Sequence, residues 1–402
     1  MMQSIHGVTR GLAVALLSGA ATVANAQDIT LQSPDGTINL TGKLLQFSGL
    51  EYVIESEYGP LRVAVDHVTC TGDACPTLSA EPANTDPMVV NWDVSLWGQR
   101  RAFTEHVEKL AELLEARTDG KFTLNLSYGG LSPSRENLDG IAEGKFEMAQ
   151  FCAGYHPEKN PTITVLELPF LGVSSLEQEV EISQAVYAHP ATRADLARWN
   201  ATIVMPSPQP QNNILGSGIP PTSLESFVNM KIRATGGVGR AIDALGAEPI
   251  NLPAPEVQAA LESGDVQAVA FAPHAHMAFN TIESGTWWTT NLNPGTSNCP
   301  VVANTDALND LPDEYRVLLA SATSEALSHY VDNYKGATMA AWGPALQERQ
   351  IIELTINDEI LSEINQAVAA PAARTWVSEN QANGLPAQEL YDLVIDMIND
   401  GT

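Results

Sequence analysis

Lys231, Arg233 and Arg240 are the only cationic side chains between Arg198 and Arg316. All three fall in one run, Lys231-Ile232-Arg233-Ala234-Thr235-Gly236-Gly237-Val238-Gly239-Arg240. A cation at the end of a strand, just before a Gly-rich turn into a helix, is placed to hold an anion. Arginine suits this best, because its planar fork meets both oxygens of a carboxylate with parallel hydrogen bonds. Lys231 lies two residues earlier, on the same side of an extended strand, but at the strand's start, where solvent is expected. Arg240 falls in the first turn of the helix and is expected to be exposed. The competing use of Arg233 is an ion pair with one of the chain's many acidic residues. Arg233→Ala is expected to cost much affinity and little stability.

Other chemical patterns are weaker. There is no Gly-x-Ser-x-Gly elbow, His-Glu-x-x-His pair, phosphate-binding P-loop or Cys-x-x-Cys. His274 and His276 stand two apart without a matching carboxylate motif, so no metal is expected. No cofactor is expected either. Gly236-Gly237-x-Gly239 departs from dinucleotide-binding spacing and reads as a tight connection. Trp287-Trp288 either stacks on a ligand or covers a lobe surface.

The elements that must position Arg233 read as α/β. Asp93 to Trp97 is a strand, Ala102 to Arg117 an amphipathic helix, and Phe122 to Tyr128 a strand. A helix from about Arg135 to Glu143 stops at Gly144, and Phe146 to Phe151 is an apolar strand. The same β-α-β-α-β order returns over Met230–Phe271 and includes Arg233. The stretch 140–151 aligns without gaps on 260–271, each a Gly-capped helix before a strand ending in Phe. Two such lobes predict a two-lobed binding-protein fold with a ligand between them. Ligands of open α/β sheets sit beyond the strands' carboxyl ends. Trp97, Phe151, Cys152, Arg233 and Phe271 are therefore expected near the cleft. Helical patterns over 314–334, 339–350, 358–368 and 387–398 are expected to brace the lobes.

Upstream the pattern changes. Residues 1–26 have a weakly basic start, the apolar run Gly11 to Ala21 and the small residues Ala24-Asn25-Ala26, which predicts a cleavable secretory signal peptide. Residues 27–80 carry short strands with Gly and Ser breaks, a small all-β module. Residues 81–89 read as a linker, and 90–402 as the two-lobed domain. An exported chain with four cysteines pairs them, and Cys70 and Cys75 are close enough for a small disulfide loop. Cys152 and Cys299 are left open. The formal net charge is −28. That argues against nucleic acid and anionic lipid as partners, and nothing predicts membrane insertion. The acidity also repels small anions at long range, unless salt screens it beyond about 8–10 Å.

With the motifs in order, the chain resembles the extracytoplasmic solute-binding proteins of TRAP transporters, the DctP type. The resemblance rests on Leu224 to Arg233, Ala244-Leu245-Gly246-Ala247-Glu248-Pro249 and Glu256 to Gly264. It is joined in the first lobe by Glu115 to Phe122, Tyr128-Gly129-Gly130-Leu131 and Glu167-Leu168-Pro169-Phe170-Leu171. It covers about residues 90–370. It implies a periplasmic receptor closing over a small organic acid and delivering it to integral membrane permease subunits. The family's carboxylate-clamping arginine falls on Arg233. The resemblance carries polar ligand contacts to Gln211, Asn213 and Asn304. Where many members have Val-Asp-Gly-x-Glu, this chain has Val266-Gln267-Ala268-Val269-Ala270-Phe271, which implies a less polar ligand than a dicarboxylate, such as a 2-oxo acid or an aromatic monocarboxylate. The all-β module is a second departure. The alternatives are an exported enzyme acting on an organic acid and an ABC-type or sensory receptor.

Overall fold

The computed structural model describes residues 28–33, 38–47, 51–56, 59–64, 68–72, 74–76, 88–221 and 223–400. The expected signal peptide and most of the expected linker lie outside them. The chain divides into two compact units, Met1–Asn84 and Thr85–Thr402.

The first unit holds β1 (Asp28–Gln32), β2 (Asn39–Phe47), β3 (Glu51–Ser56), β4 (Gly59–Ala64) and β5 (Thr69–Thr71). They form one antiparallel sheet in the order β4-β3-β2-β1-β5. Glycine is expected to break strands in this module, but β2 runs through Gly42 as a single strand. Gly42 is not a break: a Cβ there would collide with the Glu55 carbonyl on β3, so glycine permits close strand pairing. Ile29, Leu31, Tyr52, Ile54 and Val63 form a small core. Cys70 and Cys75 are bonded beside it.

The second unit begins with β6 (Val90–Leu96), α1 (Glu105–Arg117), β7 (Phe122–Tyr128), α2 (Asn137–Ala142), β8 (Met148–Gln150), α3 (Leu176–Ala188), α4 (Pro190–Ala197) and β9 (Ala201–Met205). The chain then passes into a second lobe with β10 (Asn213–Gly216), β11 (Lys231–Arg233), α5 (Gly236–Ala244), β12 (Glu248–Ile250), α6 (Val257–Ser263), β13 (Ala268–Phe271), α7 (Pro273–Ala278) and β14 (Trp287–Thr289). It returns to the first lobe through β15 (Val301–Asn304) and α8 (Thr305–Asp310). It ends with α9 (Asp313–Asn333), α10 (Met339–Glu348), β16 (Ile352–Leu354), α11 (Asp358–Ala382) and α12 (Ala387–Asp400).

The lobe sheets run β7-β6-β8-β15-β9 and β12-β11-β13-β10-β14-β16. The repeated spelling reflects a repeated arrangement. In each lobe a glycine in the left-handed region, Gly144 or Gly264, ends the helix. The strand that follows, β8 or β13, pairs parallel to the lobe's first β-α-β strand and antiparallel to a strand from elsewhere in the chain.

Two segments, 206–212 and 290–300, cross between the lobes. They are tied together by Asn212 N–H to the Gly295 carbonyl at 2.8 Å and by Gln209 Nε2 to the Ser297 carbonyl at 2.7 Å. Helix α11 makes a further crossing. Ile364 and Val368 pack into the second lobe's core, while Ala373, Trp376 and Val377 pack into the first lobe's. The sequence predicts a helix ending at 368, but α11 runs on through Pro371. Proline normally breaks a helix by removing a donor. Here tertiary packing on both sides holds the helix together, and Pro371 marks the point where it passes from one lobe to the other.

The Cys70–Cys75 bond closes a short loop, so its loss is expected to cost the first unit about 2 kcal/mol by loop entropy. In calorimetry of the whole protein, Cys70→Ser with Cys75→Ser should lower only the unfolding transition of that unit. A matching drop in the second unit's transition would contradict the division.

Candidate functional site

Arg233 sits at the end of β11 and is buried, 3% exposed. It lines a cavity between the lobes together with Trp97, Arg101, Phe103, Tyr155, Phe271, His274 and Phe279, and with the Cys152–Cys299 disulfide. The cavity encloses about 30 Å³, room for about two waters. An organic acid enters only if the lobes part. The surrounding apolar cluster joins Trp97, Phe103 and Tyr155 of the first lobe to Ala254, Val257, Phe271 and Phe279 of the second. The structure is therefore a closed form.

Two guanidiniums lie in this cavity, and no Asp or Glu is among its lining residues. Arg233 Nε donates to the Leu252 carbonyl at 2.9 Å and Nη1 to the Ala270 carbonyl at 3.3 Å. Its guanidinium lies 4.4 Å from the Phe271 ring centroid. Burial lowers its pKa from the usual value, with Tyr155 opposing the shift. Arg101, just after β6, is 7% exposed. Its Nη1 donates to the Trp97 and Gln99 carbonyls at 3.1 and 2.7 Å. The guanidinium lies 4.1 Å from the Trp97 ring centroid and 5.4 Å from those of Phe103 and Phe279. Burial lowers its pKa to about 10, so it stays cationic at neutral pH. Its Nε and Nη2, and Trp97 Nε1, are buried without a hydrogen-bond partner among the described residues. His274 stacks on Phe103 and bonds through Nδ1 to the Tyr334 hydroxyl at 2.6 Å. Burial pushes its pKa well below the usual range, so it adds no charge.

Of the residues picked from sequence, Trp97, Cys152, Arg233 and Phe271 meet in this cavity. Phe151 does not. It follows β8 and faces the first lobe's core beside Leu138 and Ile141, stacked on His156. Alternation turns the next residue, Cys152, toward the cavity. Gln211 lines a separate small cavity with Glu179 and Thr296, while Gln209 and Asn212 reach the cleft. Asn213 is engaged internally: its Oδ1 accepts from Leu292 N, Asn293 N and Thr289 Oγ1, and its Nδ2 donates to Asn293 Oδ1. Asn304 caps α8 through Asp306 N and Ala307 N and donates to the Ile141 carbonyl. These last two side chains hold backbone, not the cavity wall. Lys231 is exposed, and Arg240 pairs with Glu379 on the surface. Trp287 and Trp288 are buried in the second lobe's cores.

Sequence reasoning missed Arg101, Phe103, Tyr155 and Phe279. Arg100-Arg101 also follows a strand end. It did not stand out, because Lys109, Arg117 and Lys121 lie close by in sequence.

The Gly236-Gly237 turn has another occupant. Glu167 is 1% exposed and accepts from Asn298 N at 2.8 Å and Gly154 N at 3.1 Å. A Cβ on Gly236 would overlap its Oε2, and one on Gly237 would overlap its carbonyl oxygen. The glycines let a first-lobe carboxylate approach the N-terminus of α5, where a negative charge is favoured. An internal carboxyl group thus fills the place where a phosphate-binding turn would hold its ligand.

The sequence model of the bacterial extracellular solute-binding proteins, family 7, matches residues 94–378. A monocarboxylate 2-oxoacid-binding periplasmic protein of Nostoc sp. is 24% identical over 293 residues, 66% of this chain and 73% of the relative. A marine metagenome TRAP solute-binding protein, solved with 3-hydroxybenzoate, superposes with TM-score 0.70 at 19% identity, over 78% of this chain and 99% of that one. A Bordetella pertussis extracytoplasmic solute receptor binding pyroglutamic acid gives TM-score 0.67 at 20% identity, over 76% and 99%. No helix among the described residues is long and apolar enough to cross a membrane.

Burial also sets a pH dependence at the lobe junction. It pushes the Glu167 carboxyl up to about 7, against backbone N–H groups that favour ionisation. It pushes Glu179 well above the usual value. A carboxyl raised on folding contributes its stability fully below the unfolded value of 4.5, and that stability is lost as pH rises through the folded value. For Glu167 the loss is on the order of 3 kcal/mol. Chemical denaturation should therefore show stability falling from pH 5 to pH 8, and Glu167→Gln should flatten part of that slope. An unchanged slope in the variant would contradict the assignment.

The match over residues 94–378, with the two-lobed fold that the solved receptors share, places this chain in the DctP-type family of extracellular solute-binding proteins.

Proposed function

We propose that the protein is the periplasmic receptor of a TRAP-type transporter. It closes over a small organic acid, chiefly a monocarboxylate, and delivers it to integral membrane permease subunits. In this reading residues 1–26 are the export signal, 27–80 a separate β module, 81–89 a linker and 90–402 the receptor. Arg233 contacts the carboxylate from the second lobe, with Trp97 and Phe271 as walls. One observation carries the reading: two buried cations share a cavity whose lining contains no acid. Burying a charge without a partner costs several kcal/mol, and an anionic ligand offsets that cost on closure.

The aromatic walls and the apolar strand β13 favour a monocarboxylate over a dicarboxylate. The relatives agree in kind: one is named for 2-oxoacids, and others were solved with 3-hydroxybenzoate and pyroglutamate. Because the family is one of solute-binding proteins, the exported-enzyme alternative is not carried forward. Closure is a hinge motion about segments 206–212, 290–300 and the middle of α11.

A thermal-shift screen of 2-oxo acids, 3-hydroxybenzoate, pyroglutamate, mandelate, malate and succinate tests the ligand class. Monocarboxylates should raise the midpoint most. Tight binding of malate or succinate, with no response to monocarboxylates, would contradict it.

Arg233→Ala should weaken binding by about 2–5 kcal/mol. Contrary to the expectation from sequence, it should also destabilise the fold by about 1–3 kcal/mol, because the Leu252 and Ala270 carbonyls lose their donor. Calorimetric titration and denaturation of the same variant read the two effects. Unchanged affinity would refute the role of Arg233.

A further inference from the structure

We propose that Arg101, seconded by the indole N–H of Trp97, forms a second carboxylate contact in the cleft, facing Arg233 from the first lobe. This rests on the receptor reading above and names the first-lobe group that grips the acid.

The two guanidiniums differ in which hydrogen-bond donors are engaged. Arg233 donates from Nε and Nη1 to the Leu252 and Ala270 carbonyls, which leaves its Nη2 for a ligand. Its guanidinium therefore ties the end of β11 to the 252 loop and to β13. Arg101 is held differently. Nη1 alone anchors it, to two carbonyls of its own turn. Its Nε and Nη2 remain without partners among the described residues, though the side chain is more than nine-tenths buried. Those two N–H groups form one edge of the guanidinium, and that edge has the geometry for a two-point bond to a carboxylate.

Trp97 adds a third donor. Its Nε1 is also buried and unpartnered among the described residues, and its ring lies 4.1 Å from the Arg101 guanidinium carbon. Among the residues lining this cavity, these three are the only buried side-chain polar atoms without a partner, and all three are donors. A carboxylate offers two oxygens and about four acceptor sites. It is the chemical group that satisfies such a set, whereas an amine or a neutral alcohol would leave it unmet.

The placement also gives Arg101 a part in closure. Its guanidinium lies between the Trp97 and Phe103 rings of the first lobe and the Phe279 ring of the second. Gly98, in the left-handed region, would as alanine bring a Cβ to 3.2 Å of Phe279. The Trp97–Arg101 turn is thus where the second lobe lands when the cleft shuts. An acid held by Arg101 meets Arg233 only in the closed form, so the ligand itself bridges the two cations.

The test is calorimetric titration of the full-length protein with whichever of 3-hydroxybenzoate, pyroglutamate and pyruvate binds the parent most tightly. Arg101→Gln should weaken binding about 30-fold or more. Arg101→Lys should recover part of that loss, since it restores the charge without the fork. Trp97→Phe, which keeps an aromatic ring and removes the N–H, should cost about tenfold. The ligand-free melting temperature of Arg101→Lys and Trp97→Phe should stay near the parent's. A parent that binds acid, with Arg101→Gln or Trp97→Phe binding within about threefold of it, would overturn this assignment and leave the receptor reading standing. A parent that binds none of the acids would overturn both.

Discussion

Two guanidiniums buried in one cavity, with no carboxylate among its lining residues, set the terms for the rest of the second unit. A buried charge is tolerated only where its lost hydration is replaced. Backbone carbonyls and aromatic faces replace part of it for Arg101 and Arg233. The remaining donors of Arg101 and Trp97 are buried without a partner among the described residues, and they call for an anion. A local balance of this kind also reconciles anion binding with a chain of formal net charge −28. Long-range attraction is weak in salt, but a short contact in a closed, water-poor cleft is strong.

The supporting architecture follows from the need to bring those cations together and part them again. Each lobe carries its own sheet and core, the arrangement that rigid-body closure requires. The connections are few, and two are tied to each other by backbone and amide hydrogen bonds close to the cavity. Helix α11 shares its apolar residues between both cores and carries Pro371 at the division. Glu167 adds a contact of another kind. It reaches from the first lobe to the start of α5 through glycines that leave room for it, and α5 follows directly after the strand that presents Arg233. Cavity wall and lobe junction are therefore mechanically continuous.

Much of this was legible in the sequence. Periodicity and glycine caps gave the two β-α-β-α-β lobes, and strand position singled out Arg233. The spacing of Cys70 and Cys75 gave their bond. Other features depended on facts that no local pattern carries. Phe151 aligned with Phe271, but one step of alternation separates a core residue from a wall residue, and of the two neighbours expected at the cleft only Cys152 lines the cavity. Asn213 and Asn304 had the polarity of ligand contacts, yet each is used to hold nearby backbone. Arg101 lay in a stretch rich in charge, so only its burial distinguishes it. The pairing of Cys152 with Cys299 depends on β15 returning to lie beside β8, a long-range connection invisible to local spacing.

The central claim is that affinity comes from a carboxylate meeting buried guanidiniums. The most direct measurement compares one acid with its own primary amide by calorimetric titration, since the two differ little in shape but the amide lacks the charge and one acceptor oxygen. The account predicts that the amide binds at least about 30-fold more weakly. Equal affinity for the two would contradict it.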